Sequence, residues 1–308
     1  MASVKRFRFG LLLGGNEITR SELLSLAKRA EDEGYAILLG TDHLSRQAHV
    51  TLLQTAAEAT RLRIGNLVLN NDLRHPVVLA QELATLDMMT SGRLEIGLGA
   101  GWARDEYDGA AITFDRPGRR LARLQASVEI IKQALSEGRV ERPDSEAFGP
   151  IQLDGMPRSI QRPHPPLLIG GGGPRTLRYA AQAADIVGLD PRAMPAGGHV
   201  PGDVTAALFD EKVSWLRDAA PERIADLEIN VIIFDVDPSF LAGDEQTSIT
   251  ASVPVHEIAR SPHYLTGDPT AMVEQLIARR ERWGINYLAI KAEHMAVLAP
   301  VIARIAGT

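Results

Sequence analysis

The chain predicts a (β/α)8 TIM barrel, on three observations. About eight short β-like runs alternate with longer helical patterns, the sequence signature of a parallel sheet with helical crossovers. No shift in composition marks an internal boundary, so residues 1–308 read as one domain. The long irregular excursions follow strands four, six and seven, which in a barrel places all three on the carboxyl face, where active sites are built. An open doubly wound sheet competes with this reading, but eight units match the repeat number of the closed barrel.

The elements follow in order. Residues 7–13 (FRFGLLL) form the first strand, and 21–33 a helix with Leu23, Leu24, Leu26, Ala27 and Ala30 at helical spacing, ending at Gly34. Residues 36–39 are the second strand, 50–60 a helix and 62–69 (LRIGNLVL) the third strand. Pro76 opens a helix through 89, as proline at a first helical position often does. The breaker pair Ser91-Gly92 precedes the fourth strand, 93–98. Residues 99–118 are irregular. A long amphipathic helix over 119–137 carries Leu121, Leu124, Val128, Ile131 and Leu135. Residues 138–166 are loop, with a small hairpin around 149–153. Then come strand 167–169, helix 176–184, strand 185–189, loop 190–203 and helix 204–218. Residues 227–236 (LEINVIIFDV) are the clearest strand, and 237–261 another loop-rich excursion. Helix 269–283, strand 287–290 and helix 293–305 close the chain.

Composition narrows the chemistry. Apolar residues make up 45% of 308, enough for one large core. With no cysteine, disulfides, zinc–thiolate sites, iron–sulfur clusters and Cys nucleophiles are excluded. The net charge of -6 and the lack of a long basic block argue against nucleic acid as a partner. The opening MASVKRFRFGLLLGG reads as a first strand and not a signal peptide, and no apolar run reaches membrane-spanning length, so the expected location is cytoplasmic with no membrane partner. The eight histidines are scattered without HExxH spacing, so no metal is expected, and a G-x-S-x-G elbow is absent. Met88, Met89 and Trp283 read as core or interface.

Four constellations bear chemistry. Asp42 and His43 lie just past strand two, at the barrel mouth, where an imidazole is a natural proton donor and a carboxylate can equally well cap a loop. Asn70 and Asn71 end strand three, where amides can meet the edge of a flat heteroaromatic ring or simply make a polar turn before Pro76. Gly97-Leu98-Gly99-Ala100-Gly101-Trp102 differs from a Rossmann fingerprint, since no helix follows directly and no ribose-binding acid stands about twenty positions on. Its small residues suit close approach of backbone to a ligand. Finally, Gly170-Gly171-Gly172-Gly173-Pro174-Arg175-Thr176 runs from a strand through glycines into a helix, a ready anion site without the Gly-Lys-Ser/Thr ending of a P-loop.

Taken in order, Gly34-Tyr35, Thr41-Asp42-His43, Leu73-Arg74-His75-Pro76, 86–94 (LDMMTSGRL), 97–102 (GLGAGW), 119–124 (RRLARL), 165–171 (PPLLIGG), Arg175-Thr176-Leu177 and Ala184-Asp185 resemble the luciferase-like monooxygenase superfamily, and within it the F420-dependent branch. The resemblance implies a barrel with a deazaflavin ring across the carboxyl ends of the strands. It puts Asp42 and His43 near the ring as catalytic and coenzyme-binding residues. It implies a non-prolyl cis peptide at Leu67-Val68 backing the ring, and Ala100, Gly101 and Trp102 lining the ring pocket. Gly171, Gly172 and Gly173, with Thr176, would hold the phosphate. One departure stands out: the family's sugar-phosphate dehydrogenases carry Glu where this chain has Trp102. That argues against their proton-transfer scheme and for a more apolar mouth, with Leu44.

Three functions follow as expectations. The first is an F420-dependent oxidoreductase that moves a hydride between deazaflavin C5 and a small organic substrate, with a proton supplied by His43 or water. The second is a two-component monooxygenase using reduced FMN and O2. The third is a coenzyme-binding protein without turnover. Relatives suggest a homodimer.

Overall fold

The computed structural model describes residues 5–13, 17–236, 249–250 and 253–308. Along the chain run β1 (Arg8–Leu13), α1 (Arg20–Asp32), β2 (Ile37–Gly40), α2 (His49–Ala57), β3 (Arg63–Asn66), β4 (Leu69–Asn70), α3 (Pro76–Met89), β5 (Leu94–Gly99), α4 (Arg104–Gly109) and α5 (Pro117–Glu137). Then come β6 (Arg139–Arg142), β7 (Ile151–Asp154), β8 (Leu167–Gly171), α6 (Pro174–Ala183), β9 (Ile186–Leu189), α7 (Ala206–Ala219), β10 (Glu228–Ile233), α8 (Val255–Ile258), α9 (Pro269–Trp283), β11 (Ile285–Lys291) and α10 (Met295–Ile305).

The main sheet is ordered β3-β2-β1-β11-β10-β9-β8-β5, and β5 pairs back to β3 through Ile64↔Leu94 and Gly65↔Glu95. Every pairing in it is parallel, so the sheet closes on itself as a (β/α)8 barrel. β4 continues β3 beyond a break and pairs with β5 through Leu69↔Leu98 and Asn70↔Gly99. The helices expected at 76–89 and 269–283 have those bounds, and the other long helices shift by a few residues.

Three differences have physical reasons. α4 lies in a stretch expected to be irregular: six residues are too short for a periodic signal, and the turn is held by the buried Tyr107. The hairpin expected around 149–153 is β6 paired antiparallel with β7, whose first strand begins directly after α5 inside a stretch read as loop. Met88 and Met89 are exposed and so are not core, whereas Trp283 is buried and its Nε1 donates to Asp210 at 2.7 Å. Most of the excursion expected at 237–261 lies outside the described residues, which include α8 at its end.

Side-chain alternation divides the barrel into an outer and an inner core. Phe9, Leu11, Leu38, Leu98, Leu167, Ile169, Leu288 and Ile290 face the helices and join the large cluster there. The interior holds a small cluster of Leu12, Ile37, Leu39, Leu67, Leu168, Ile186, Tyr287 and Ala289. Below it, at the amino ends of the strands, Glu95 on β5 takes a bidentate pair from Arg8 on β1 at 2.7 and 3.0 Å and another contact from Arg63 Nε on β3 at 2.7 Å. β1 and β5 are not neighbours, so this contact spans the interior and plugs its floor. No helix among the described residues is long and apolar enough to cross a membrane, and none of their side chains groups three His, Asp or Glu as a metal site.

Candidate active site

The carboxyl ends of the strands surround a cavity of about 950 Å³, near the upper end of what small-molecule sites occupy. Its floor is made by the break between β3 and β4, where the Leu67-Val68 peptide is cis, as the resemblance implies. Val68 then projects among neighbouring strands, and glycines make room for it. A Cβ on Gly99 would stand 2.7 Å from Val68 Cγ2, and one on Gly170 3.1 Å from Cγ1. The glycines at the ends of β5 and β8 are thus required by packing before any ligand is considered. Leu67, Val68, Asn70, Ala100, Gly101 and Trp102 all line the cavity.

One end of the cavity is built for an anion. β8 runs through Gly171 and Gly172 into α6, whose N-cap Gly173 offers no side-chain cap and whose first residue is Pro174. A Cβ on Gly173 would meet nothing within 4 Å, whereas one on Gly172 would collide with the Asp190 carbonyl at 2.3 Å. Gly172 therefore closes the wall and Gly173 opens it. The uncapped amides at the positive end of the helix dipole face this opening beside Thr176.

A second part of the cavity wall is aromatic and imidazole. Trp102 packs against His199 with ring centroids 4.4 Å apart and meets the His43 ring edge-on at 6.0 Å. His43 Nδ1 lies 2.9 Å from Glu106 Oε1. An ionised carboxylate only accepts, so in this pair Nδ1 is the donor. This fixes ring and tautomer, as a carboxylate does behind many working imidazoles.

Asp42 is placed differently from its expected catalytic role. It lines the cavity, but its oxygens accept from both Arg74 Nη atoms at 2.8 and 3.1 Å and from the Asn70 amide at 2.9 Å, with His49 Nδ1 at 3.3 Å. Burial would raise this carboxyl, but the His49 and Arg74 hydrogen bonds and the Arg74 charge more than offset it and bring it down to about 2. An acid so fully engaged ties the β2 and β4 ends together. Asn70 is likewise occupied, its Oδ1 accepting from Tyr107 Oη at 2.9 Å and Asp72 N at 3.1 Å. Asn71 is buried and is not part of the cavity wall.

Glu106, Tyr107, Asp190 and His199 were not singled out from sequence. Glu106 and Tyr107 sit on the short α4, where the acid-rich RDEYD after a glycine-rich strand end was the only signal. His199 reaches the wall from the excursion after β9, held by the buried Asp203, which pairs with Lys212 at 2.8 Å and Arg192 at 3.0 Å.

A family model for the luciferase-like monooxygenases matches residues 3–213. An F420-dependent glucose-6-phosphate dehydrogenase of Kineococcus radiotolerans is 31% identical over 58% of this chain and 55% of its own. A 5,10-methylenetetrahydromethanopterin reductase of Archaeoglobus fulgidus is 33% identical over 53% and 47%. The chain thus spans about half the length of these curated relatives. The coenzyme F420 dependent tetrahydromethanopterin reductase of Methanopyrus kandleri has the same fold, with a TM-score of 0.76 at 19% identity over 98% of this chain and all of that one. With the match covering most of the chain and the barrel and cis bulge in place, this protein belongs to the luciferase-like monooxygenase family.

Proposed function

We propose that the protein is an F420-dependent oxidoreductase acting on a small organic substrate with an activated C=C, C=N or carbonyl group. The observation that carries the reading is the convergence in one cavity of an uncapped helix start, a flat apolar floor at Val68 and an imidazole backed by a carboxylate. The F420-dependent relatives support deazaflavin as the coenzyme.

The residues present fit that group. Gly171, Gly172, Gly173 and Thr176 with the α6 amides would hold its phosphate, and Leu67, Val68, Asn70, Ala100 and Gly101 would line its ring. When bound, the deazaflavin supplies or accepts a hydride at C5. The chain's own work is positional and protolytic. Trp102 and His199 form the wall a substrate lies against and keep water from it. His43, with Glu106 fixing its Nδ1 proton, exchanges a proton with the substrate at Nε2, directly or through water. Asp42 and Arg74 act behind the surface by holding the strand ends that carry His43 and Asn70.

The test is titration of the purified protein with oxidised F420 and, separately, with FMN. Saturable F420 binding with a Kd at least about tenfold below that for FMN is expected. The reverse order favours the two-component monooxygenase, and absence of binding to either ends the reading. Given coenzyme binding, His43→Ala should reduce turnover about 10²–10⁴-fold while changing coenzyme affinity less than about threefold. Binding without reductase activity over a broad substrate panel would favour a coenzyme carrier.

A further inference from the structure

α5 begins in a way that contradicts the usual rule for helix starts. A helix's amino end is favoured by acids, yet its first turn has none, and Arg116, Arg119, Arg120 and Arg123 cluster there. Its N-cap, Arg116, makes no side-chain cap, and the first residue is Pro117. Three of these residues are partly explained. Arg123 pairs with Asp72 at 2.7 Å and Asp115 at 2.9 Å, and Arg119 with Glu146 at 3.1 Å. Arg120 lies over the Phe114 ring at 3.9 Å and donates from Nη1 to the Asp115 carbonyl at 2.9 Å.

Arg120 is the informative one. It is 3% exposed, its Nε is buried with no hydrogen-bond partner, and it lines the cavity with Pro117, Gly118 and Leu121. A buried guanidinium with an unspent donor is costly unless something is placed to accept from it. A Cβ on Gly118 would meet nothing within 4 Å, so the backbone beside it is open. Arg175, near the start of α6, lines the same cavity, is exposed and forms no ion pair among the described residues. α6 also lacks an acid in its first turn. Two uncapped helix starts and two guanidinium groups without an ion pair among the described residues therefore line one cavity.

A single phosphate needs only one such helix start. We propose that the start of α5, with Arg120 and Arg175, is a second oxyanion site in the cavity, and that it takes a carboxylate of the γ-linked glutamates that follow the phosphate in a deazaflavin coenzyme. The ligand's source rests on the F420 reading above; the site does not. FMN ends at its phosphate and leaves the second site empty, so the site selects between the two coenzymes by their tails and not by their rings.

The test compares deazaflavin bearing the phosphate alone with deazaflavin bearing phosphate and glutamates, by fluorescence titration of the full chain. Wild type should bind the glutamylated form roughly tenfold more tightly, the value of one charge-assisted contact. Arg120→Gln and, separately, Arg175→Gln should bring the ratio within about threefold. Arg120→Lys should keep part of it, and Arg120→Gln should leave affinity for the tail-free form within about twofold. Arg175→Gln, on an exposed residue, serves if Arg120→Gln does not fold. Saturation-transfer NMR with free γ-glutamylglutamate reads the site without any chromophore. Equal affinity for both coenzyme forms with no dipeptide binding overturns the proposal, as does a tail preference that both variants leave intact. Dipeptide binding that Arg120→Gln abolishes, in a protein that binds neither deazaflavin or binds both equally, upholds the carboxylate site and overturns the tail as its ligand. Only the absence of all deazaflavin binding counts against the coenzyme reading itself.

Discussion

Replacing Asp42 by Asn separates a structural carboxylate from a chemical one. The side chain keeps its shape and one acceptor for the Asn70 amide, but loses the charge that Arg74 and His49 engage. Its folded value of about 2 lies below the ordinary 3.8. A carboxyl depressed in this way adds stability that is complete above the unfolded value and is lost as pH falls through the folded one. The gap of ~1.8 units corresponds to about 2.5 kcal/mol at pH 7, of which about 1.3 kcal/mol remains at pH 3. Asp42→Asn should therefore lower the urea-unfolding free energy by about 2–3 kcal/mol at pH 7. The gap between variant and wild type should narrow by about 1 kcal/mol at pH 3. Coenzyme affinity and turnover should fall together, because the strand ends loosen. A difference below about 0.5 kcal/mol at pH 7, or one that does not change with pH, refutes the reasoning. Unchanged stability and coenzyme affinity with turnover lost would put Asp42 in proton transfer after all.

Three further outcomes are expected. Glu106→Gln should cut turnover about tenfold by freeing the His43 ring, with coenzyme Kd within about threefold of wild type; loss of coenzyme binding instead would make Glu106 a ring ligand. Gly99→Ala forces a Cβ to 2.7 Å from Val68 and should destabilise by about 1–3 kcal/mol, and the double variant with Val68→Ala should recover most of that, read as Tm; additive losses would show that the two side chains do not compete for the space. Glu95→Gln leaves Arg8 and Arg63 without their shared carboxylate at the barrel floor and should cost about 3–5 kcal/mol in urea unfolding, with coenzyme affinity unchanged in the folded protein.

What was legible in the sequence was periodic or covalent in origin. All eight barrel strands stand out because buried parallel strands read as short apolar runs, and the long helices because their apolar faces repeat every three to four residues. The glycine-rich strand ends were visible as composition, though what they accommodate was not. Nothing local says that Gly99 and Gly170 clear space for Val68, roughly thirty and a hundred residues earlier in the chain. The partners of the site residues were hidden for the same reason. Glu106 reaches His43 across 63 positions, and Arg74 reaches Asp42 across 32. His199 depends on a loop that is fixed by Asp203, Lys212 and Arg192, a buried charge cluster no periodicity announces.

Trp102 shows how such long-range pairing changes the meaning of a substitution. From sequence alone, a tryptophan where sugar-phosphate dehydrogenases of the family carry Glu removes an acid from the mouth. In the folded chain an acid still reaches the neighbouring imidazole, supplied by Glu106 from the next helix. The change therefore alters the wall and leaves the His43–Glu106 contact in place: His43 keeps a carboxylate behind Nδ1, while the surface beside it becomes indole packed at a tilt on His199. A phosphorylated sugar would find π surface there instead of polar partners, and would leave its hydroxyls unsatisfied at a cost of about 1–3 kcal/mol for each one buried. A flat, conjugated acceptor meets the same wall with its own π face and exposes no such group. At that wall Glu106 is engaged by His43 at 2.9 Å and Asp190 Oδ2 stands 4.0 Å from His199 Nε2, so a substrate there meets the aromatic surface together with these two acids.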